Sequence, residues 1–204
     1  MGNRVMAFVD GENLLTRFEA MKAEGHKPRD FTPEGGMAEK IKYEPNKYVW
    51  SPYTVNSLYM GDVLERVSYY STLTGDTDAV EGLNTAIGEC VTRDTPFAST
   101  GQHVLRVLPK IFKKEARKTK TKSVDISICV DVMEYVKNDA LDAVYLVSGD
   151  VDYRPLIEAV MRAGKRAYVA SLSSGRSQGY SNVPDRYINL DSLYFFGMPN
   201  PMVR

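Results

Sequence analysis

Short apolar runs alternate with stretches of helical spacing along almost the whole chain, and that alternation admits few folds. Arg4 to Asp10 is an apolar run that ends in an acid and reads as a buried strand. Leu14, Leu15, Phe18 and Met21 then recur at helical spacing, with Asn13 a natural N-cap. Glu65 to Ser71 alternates like a strand, and Asp76 to Cys90 carries a helical pattern at Ala79, Leu83, Ala86, Ile87 and Cys90. His103 to Ile111 predicts a further strand. Val124 to Val136 is apolar almost all round, as expected of a helix packed tightly on a sheet. Ala143 to Val147 is the clearest strand of the chain. A helix over Tyr153 to Ala163 is stopped by Gly164, a suitable C-cap, and strands at Arg166 to Ala170 and Tyr187 to Leu190 follow. Strands that alternate with helices predict an α/β fold with a mostly parallel central sheet covered on both faces.

At 204 residues the chain suits a single domain, 1–204, with an insertion at about 24–56. That segment is polar, rich in Gly, Pro and Lys, and lacks clear periodicity, which is uncommon inside a compact domain. A hydrophobic content of 43% can bury a real core and argues against disorder. Lys plus Arg and Asp plus Glu each total 26, which excludes a simple polycation that coats nucleic acid but not a local basic patch. Cys90 and Cys129 offer neither a disulfide framework nor zinc-ligand spacing, and both read as buried thiols. The N-terminus enters a strand directly, and no apolar stretch approaches the roughly 20 residues of a membrane span. The expected location is cytoplasmic, with no membrane partner.

In sheets of this kind ligands bind at the carboxyl ends of the strands. Asp10 ends the first strand, and Asp150 and Asp152 follow the strand that finishes at Val147. Asp125 opens a helix that starts at the same edge, provided the strand before it is parallel to the others. Four carboxylates with no base in the two loops except Arg154 repel one another, and a hard cation such as Mg²⁺ or Mn²⁺ relieves that repulsion through oxygen ligands. Asp10, Asp125, Asp150 and Asp152 are therefore the candidate metal-binding and catalytic residues. Asp131 lies about 120° around the helix from Asp125 and about 9 Å along it, so it reads as a supporting or structural partner. Plainer roles stay open for each acid. Asp152 could cap the helix beginning at Tyr153, Asp125 could favour a helix dipole, and Asp10-Gly11 and Gly149-Asp150 could be turns.

Three motifs carry a family resemblance. Phe8-Val9-Asp10-Gly11-Glu12-Asn13-Leu14, then Lys122-Ser123-Val124-Asp125 followed by Asp131, and Val147-Ser148-Gly149-Asp150-Val151-Asp152-Tyr153 resemble the signature of NYN domains, a branch of the PIN-like nuclease superfamily. Ala163-Gly164-Lys165-Arg166 and Pro184 to Leu190 are similar to the LabA-like bacterial branch. The resemblance implies a three-layer α/β/α fold, a metal ion held by Asp10, Asp125, Asp150 and Asp152, and hydrolysis of RNA. It further implies that Asn13 and Ser148 orient water or phosphate, although Asn13 as a mere N-cap stays open.

A polyanion at an acidic pocket needs a basic rim. Arg106 to Lys122 supplies eight Lys or Arg against one acid, Glu115, and Lys122 lies closest in sequence to Asp125. A solvated loop is the plainer reading of that run. Tyr43, Tyr48 and Trp50, interleaved with Lys40, Lys42 and Lys47, suit stacking on single-stranded bases, or packing of the insertion onto the domain. The expected function is a metal-dependent ribonuclease acting on RNA, single-stranded by the resemblance. The alternative is a non-catalytic RNA- or protein-binding module of the same fold, and a homo-oligomer or protein partner stays open. A haloacid-dehalogenase-like phosphatase shares the strand–Asp pattern but needs a second acid two residues on, where Glu12 stands, and a downstream Lys that is not evident.

Overall fold

The computed structural model describes residues 2–29, 41–55, 61–93, 104–114, 123–175, 178–180 and 182–198. Strand β1 (Arg4–Asp10) leads into helix α1 (Gly11–Ala23). A small antiparallel hairpin follows, β2 (Lys42–Glu44) and β3 (Tyr48–Trp50). Then come β4 (Val63–Thr74), α2 (Thr77–Gly88), β5 (Val91–Arg93), β6 (Val104–Lys114) and α3 (Ser123–Lys137). The chain closes with β7 (Ala143–Val147), α4 (Arg154–Arg162), β8 (Arg166–Ser171), β9 (Arg186–Asn189) and the short α5 (Asp191–Tyr194).

Among the described residues the main sheet has seven strands in the order β5-β6-β4-β1-β7-β8-β9, and of their pairings only β5–β6 is antiparallel. From β1 the chain moves outward through β4 and β6, then returns to β7 on the other flank of β1. The switch point of the sheet therefore lies at the carboxyl end of β1, where such folds open a crevice. β6 is parallel to β4, so α3 starts at that same edge.

The central strands read as unbroken apolar runs because both faces are covered. Val5, Ala7 and Val9 of β1 join a core with α1, the β3 strand, α2 and Tyr194 of α5. Met6 and Phe8, the alternate residues, join a second core with Val124, Ile128, Val132 and Val136 of α3 and Leu156, Ile157 and Val160 of α4. The fold is thus a three-layer α/β/α sandwich.

Two expectations need correction, and an alternative left open is decided. Helix α1 starts at Gly11, and its N-cap is Asp10, not Asn13: the Asp10 carboxylate accepts the Asn13 N–H at 3.0 Å. Gly11 also answers a packing need, because a β-carbon there would overlap the buried Tyr69 ring. Helix α3 is not buried all round: Ile126 (57% exposed) and Val130 (58%) face outward, since only its i, i+4 row meets the sheet. Of the two readings left open for the aromatics of the insertion, packing onto the domain is the one that Trp50 and Tyr43 follow. Trp50 is buried and donates its Nε1–H to the Val91 carbonyl at 2.8 Å, while Tyr43 packs on Phe18 with ring centroids 5.0 Å apart. Lys40 lies outside the described residues.

Candidate functional site

Asp10 sits at the centre of the crevice. Val9 pairs with Val147, so the ends of β1 and β7 lie side by side and bring Asp10 beside the Ser148–Asp152 loop. The Asp10 carboxylate is almost completely buried. One oxygen accepts the Asn13 N–H, and the other accepts the Ser148 hydroxyl at 3.1 Å. Burial nevertheless dominates, and with the Asp125 and Glu12 charges it pushes Asp10 up to about 7, against the opposing pull of the two hydrogen bonds.

Around Asp10 the loop after β7 is fixed by its own side chains. The Gly149 N–H donates to Asn13 Oδ1 at 3.0 Å, tying α1 to this loop, and the Asp150 N–H donates to Ser148 Oγ at 3.1 Å. Asp150 caps a single 3₁₀ turn (Val151–Tyr153) by accepting the Asp152 N–H at 3.0 Å, while Asp152 is exposed. Capping at this corner falls to Asp150, not Asp152. Asn13 and Ser148 are thus engaged within the protein, although no described residue takes up the Asn13 amide N–H groups.

Asp125, half-buried in the first turn of α3, arrives from the opposite layer. The Tyr153 hydroxyl donates to its Oδ1 at 2.9 Å. Burial, reinforced by the Asp10 and Asp125 charges, holds the Tyr153 phenol far above its ordinary range, so it remains a donor. Tyr180 closes the other side, donating to the Asp150 carbonyl. Its phenol is raised by burial and by the charges of Asp150, Asp10 and Asp152. The four acids named from sequence therefore share one edge around two buried tyrosines.

Among the described residues no Lys, Arg or His forms an ion pair with any of these four acids. Arg154, the base nearest in sequence, pairs instead with Glu158 at 2.8 Å. Asp131 is spent on Lys110 and the Tyr70 hydroxyl, which fits the structural role expected of it. Lys122 lies outside the described residues, as do the rest of its basic run beyond Lys114. Sequence reasoning overlooked Tyr153 and Tyr180. A Tyr following an acid pair carries no distinctive spacing, and Tyr180 reaches the site from a distant loop.

The sequence matches the family model of the NYN domain over residues 4–191. The chain belongs to the NYN domain family. NYN domains fall in the PIN-like nuclease superfamily, are generally ribonuclease-like and act on RNA, and PIN-like nuclease domains typically use divalent metal ions. In fold, this NYN domain is similar to a solved protein of unknown function from Vibrio parahaemolyticus RIMD 2210633. The TM-score is 0.56 at 16% identity, covering 96% of this chain and 97% of that one. No protein of curated function matches. Among the described residues no helix is long and apolar enough to cross a membrane.

The donor set fits a hard cation in type, being carboxylate oxygens that pair with no base among the described residues. It does not form a closed cage, since among the described residues no three acids, histidines or cysteines stand together as a ligand group. Mg²⁺ typically binds through one or two carboxylates and completes its shell with water and substrate phosphate. An open edge of carboxylates suits that habit.

Proposed function

We propose that this NYN domain is a Mg²⁺- or Mn²⁺-dependent ribonuclease that hydrolyses phosphodiester bonds of single-stranded RNA. The observation that carries the reading is the buried Asp10 carboxylate at the carboxyl end of β1, held by the Asn13 N–H and the Ser148 hydroxyl and, among the described residues, paired with no Lys, Arg or His. Asp10 and Asp125 would hold the ion directly, and Asp150 and Asp152 would act on its water shell. A divalent ion bound there supplies Lewis acidity and a water of lowered pKa. The chain's own residues do the positioning. Ser148 and the Asn13 N–H fix both Asp10 oxygens, Tyr153 fixes Asp125, and the Asn13 amide is free to orient a phosphate oxygen or the attacking water. We further read residues 1–204 as one functional unit acting in the cytoplasm, in the LabA-like branch suggested by the Ala163–Arg166 and Pro184–Leu190 motifs.

The decisive experiment incubates purified protein with labelled single-stranded RNA, with Mn²⁺ or with a chelator. Cleavage only in the Mn²⁺ arm is expected. Binding without cleavage in either arm would favour a non-catalytic RNA-binding module, which the open ligand set also allows. Tyr153→Phe offers a finer check. The ring stays in its core while Asp125 loses its donor, so Mn²⁺ affinity should fall about tenfold with little change in melting temperature. Unaltered Mn²⁺ affinity would show that Tyr153 does not position a ligand.

A further inference from the structure

The acid cluster repels a polyanion, so the strand must be gripped by cations at its flanks. One flank lies on the β4–β6 side. Asp10 pairs with Tyr70 and Tyr70 with Lys110, yet β4 and β6 continue to Thr74 and Lys114. They form a ribbon that rises roughly 13 Å past Asp10. Lys113 and Lys114 sit at its tip, and neither pairs with an acid among the described residues. These two lie in the basic run already expected to form a rim.

The other flank holds a cation that the sequence did not single out. Arg17 lies one turn beyond Asn13 on the same face of α1. Its Nη1 donates to the Ser174 carbonyl at 3.3 Å, and the Ser174 hydroxyl donates back to the Arg17 carbonyl at 3.2 Å. Ser174 follows the carboxyl end of β8, and its loop is pinned by the Ser173 N–H on the buried Asp191 carboxylate at 2.8 Å. Arg17 is half-buried, forms no ion pair with a described acid, and its Nε is buried without a partner. A guanidinium presents five donors in a fixed fork matched to phosphate, and a single long bond to one carbonyl leaves most of that capacity unused.

We propose that Arg17 is a phosphate-binding residue for RNA on the β8 side of the acid cluster, opposite Lys113 and Lys114. The strand then crosses the carboxyl edge of the sheet from β6 to β8. Four strand spacings, roughly 19 Å, separate β6 from β8, whose following loop carries Ser174, the partner of Arg17, and β1 and β7 with their acids lie between those two strands. The inference rests on the ribonuclease reading for the identity of the ligand, but not on catalysis.

Equilibrium binding of fluorescent single-stranded RNA, measured in Ca²⁺ across a salt series, tests it. Arg17→Gln should weaken affinity about tenfold at low salt and flatten the log–log salt slope by about 0.7, the loss of one phosphate contact on a single strand. Lys113→Gln with Lys114→Gln should add to that loss independently, because the two flanks are far apart. Should the Gln variant fail to fold, Arg17→Lys carries the test. It keeps the charge, so the slope should hold while affinity drops with the lost fork. A residue that merely pins Ser174 would move the melting temperature and leave both affinity and slope at wild-type values, and that result overturns the proposal. Wild-type protein that binds no RNA would overturn the ribonuclease reading and this inference together, whereas RNA binding indifferent to Arg17 overturns this inference alone.

Discussion

Asp10→Asn should abolish Mn²⁺-dependent cleavage and, without metal at pH 8, raise the melting temperature. The two effects have one cause. A carboxyl raised from 3.8 to about 7 is harder to ionise in the folded state than in the unfolded chain. Above about pH 7 the wild type bears the full penalty, of order 4 kcal/mol. Below about pH 4 neither state is ionised and the penalty vanishes, so this group lowers stability progressively as pH rises between those values. The Asn side chain preserves the geometry: its oxygen can still accept the Asn13 N–H, and its amide can donate to Ser148 Oγ. Loss of the charge at a helix N-cap offsets part of the gain, about 0.3 to 1 kcal/mol. A net rise of about 3 kcal/mol corresponds to roughly 6 to 12 °C in a domain of this size.

Metal narrows the gap. Mn²⁺ at a hundredfold excess over its Kd should stabilise the wild type by about 2.7 kcal/mol and the variant far less. Asp125→Asn should behave like Asp10→Asn in cleavage. Asp150→Asn, whose oxygen can still cap the 3₁₀ turn, should cost activity without matching the stability gain. Thermal melts at pH 4 and pH 8, with chelator or Mn²⁺, measure all of this. An Asp10→Asn protein less stable than wild type at pH 8 without metal would mean that the carboxylate is satisfied as a simple helix cap, and the cation site would fall with it.

The parts of this fold that were legible in the sequence are those buried on both faces. Ala143 to Val147 and Val5 to Val9 contribute alternate residues to two cores, and no polar position interrupts them. The convergence of Asp10 with Asp150 followed from the same runs, because two strands buried on both faces belong near the middle of one sheet. Elements that escaped are short or decided by distant partners. Lys42–Glu44, Tyr48–Trp50 and Val91–Arg93 have three residues each, too few for a period-two signal. Asn13 and Asp10 are both good capping types, and only the bond from the Asn13 N–H settles which one serves. The outward Ile126 and Val130 show the opposite failure. Apolar composition says that a helix can be buried, and the number of layers beside it decides how much of it is.

The largest loss of stability outside the acid site should come from Trp50→Ala. The insertion that carries it looked like loop, yet Trp50 is 1% exposed and meets Tyr69 edge-on at 6.2 Å between ring centroids. Tyr69 is itself the ring that crowds Gly11, so the indole backs the helix start next to Asp10. Truncating a fully buried aromatic costs about 3 to 5 kcal/mol, and here it also leaves the Val91 carbonyl without its indole donor. A fall of roughly 6 to 20 °C in melting temperature is expected. Trp50→Phe keeps most of the ring volume but not the donor, so its loss should be smaller, about 1 to 3 kcal/mol. The hairpin turn itself tolerates the left-handed backbone of Asn46 (φ 58°), a conformation that Asn accepts better than most residues. Trp50→Phe should leave RNA affinity unchanged, because the ring faces the core and not solvent. A Trp50→Phe protein of normal stability but weakened RNA binding would reverse this assignment and return the hairpin to the role of a base-stacking platform.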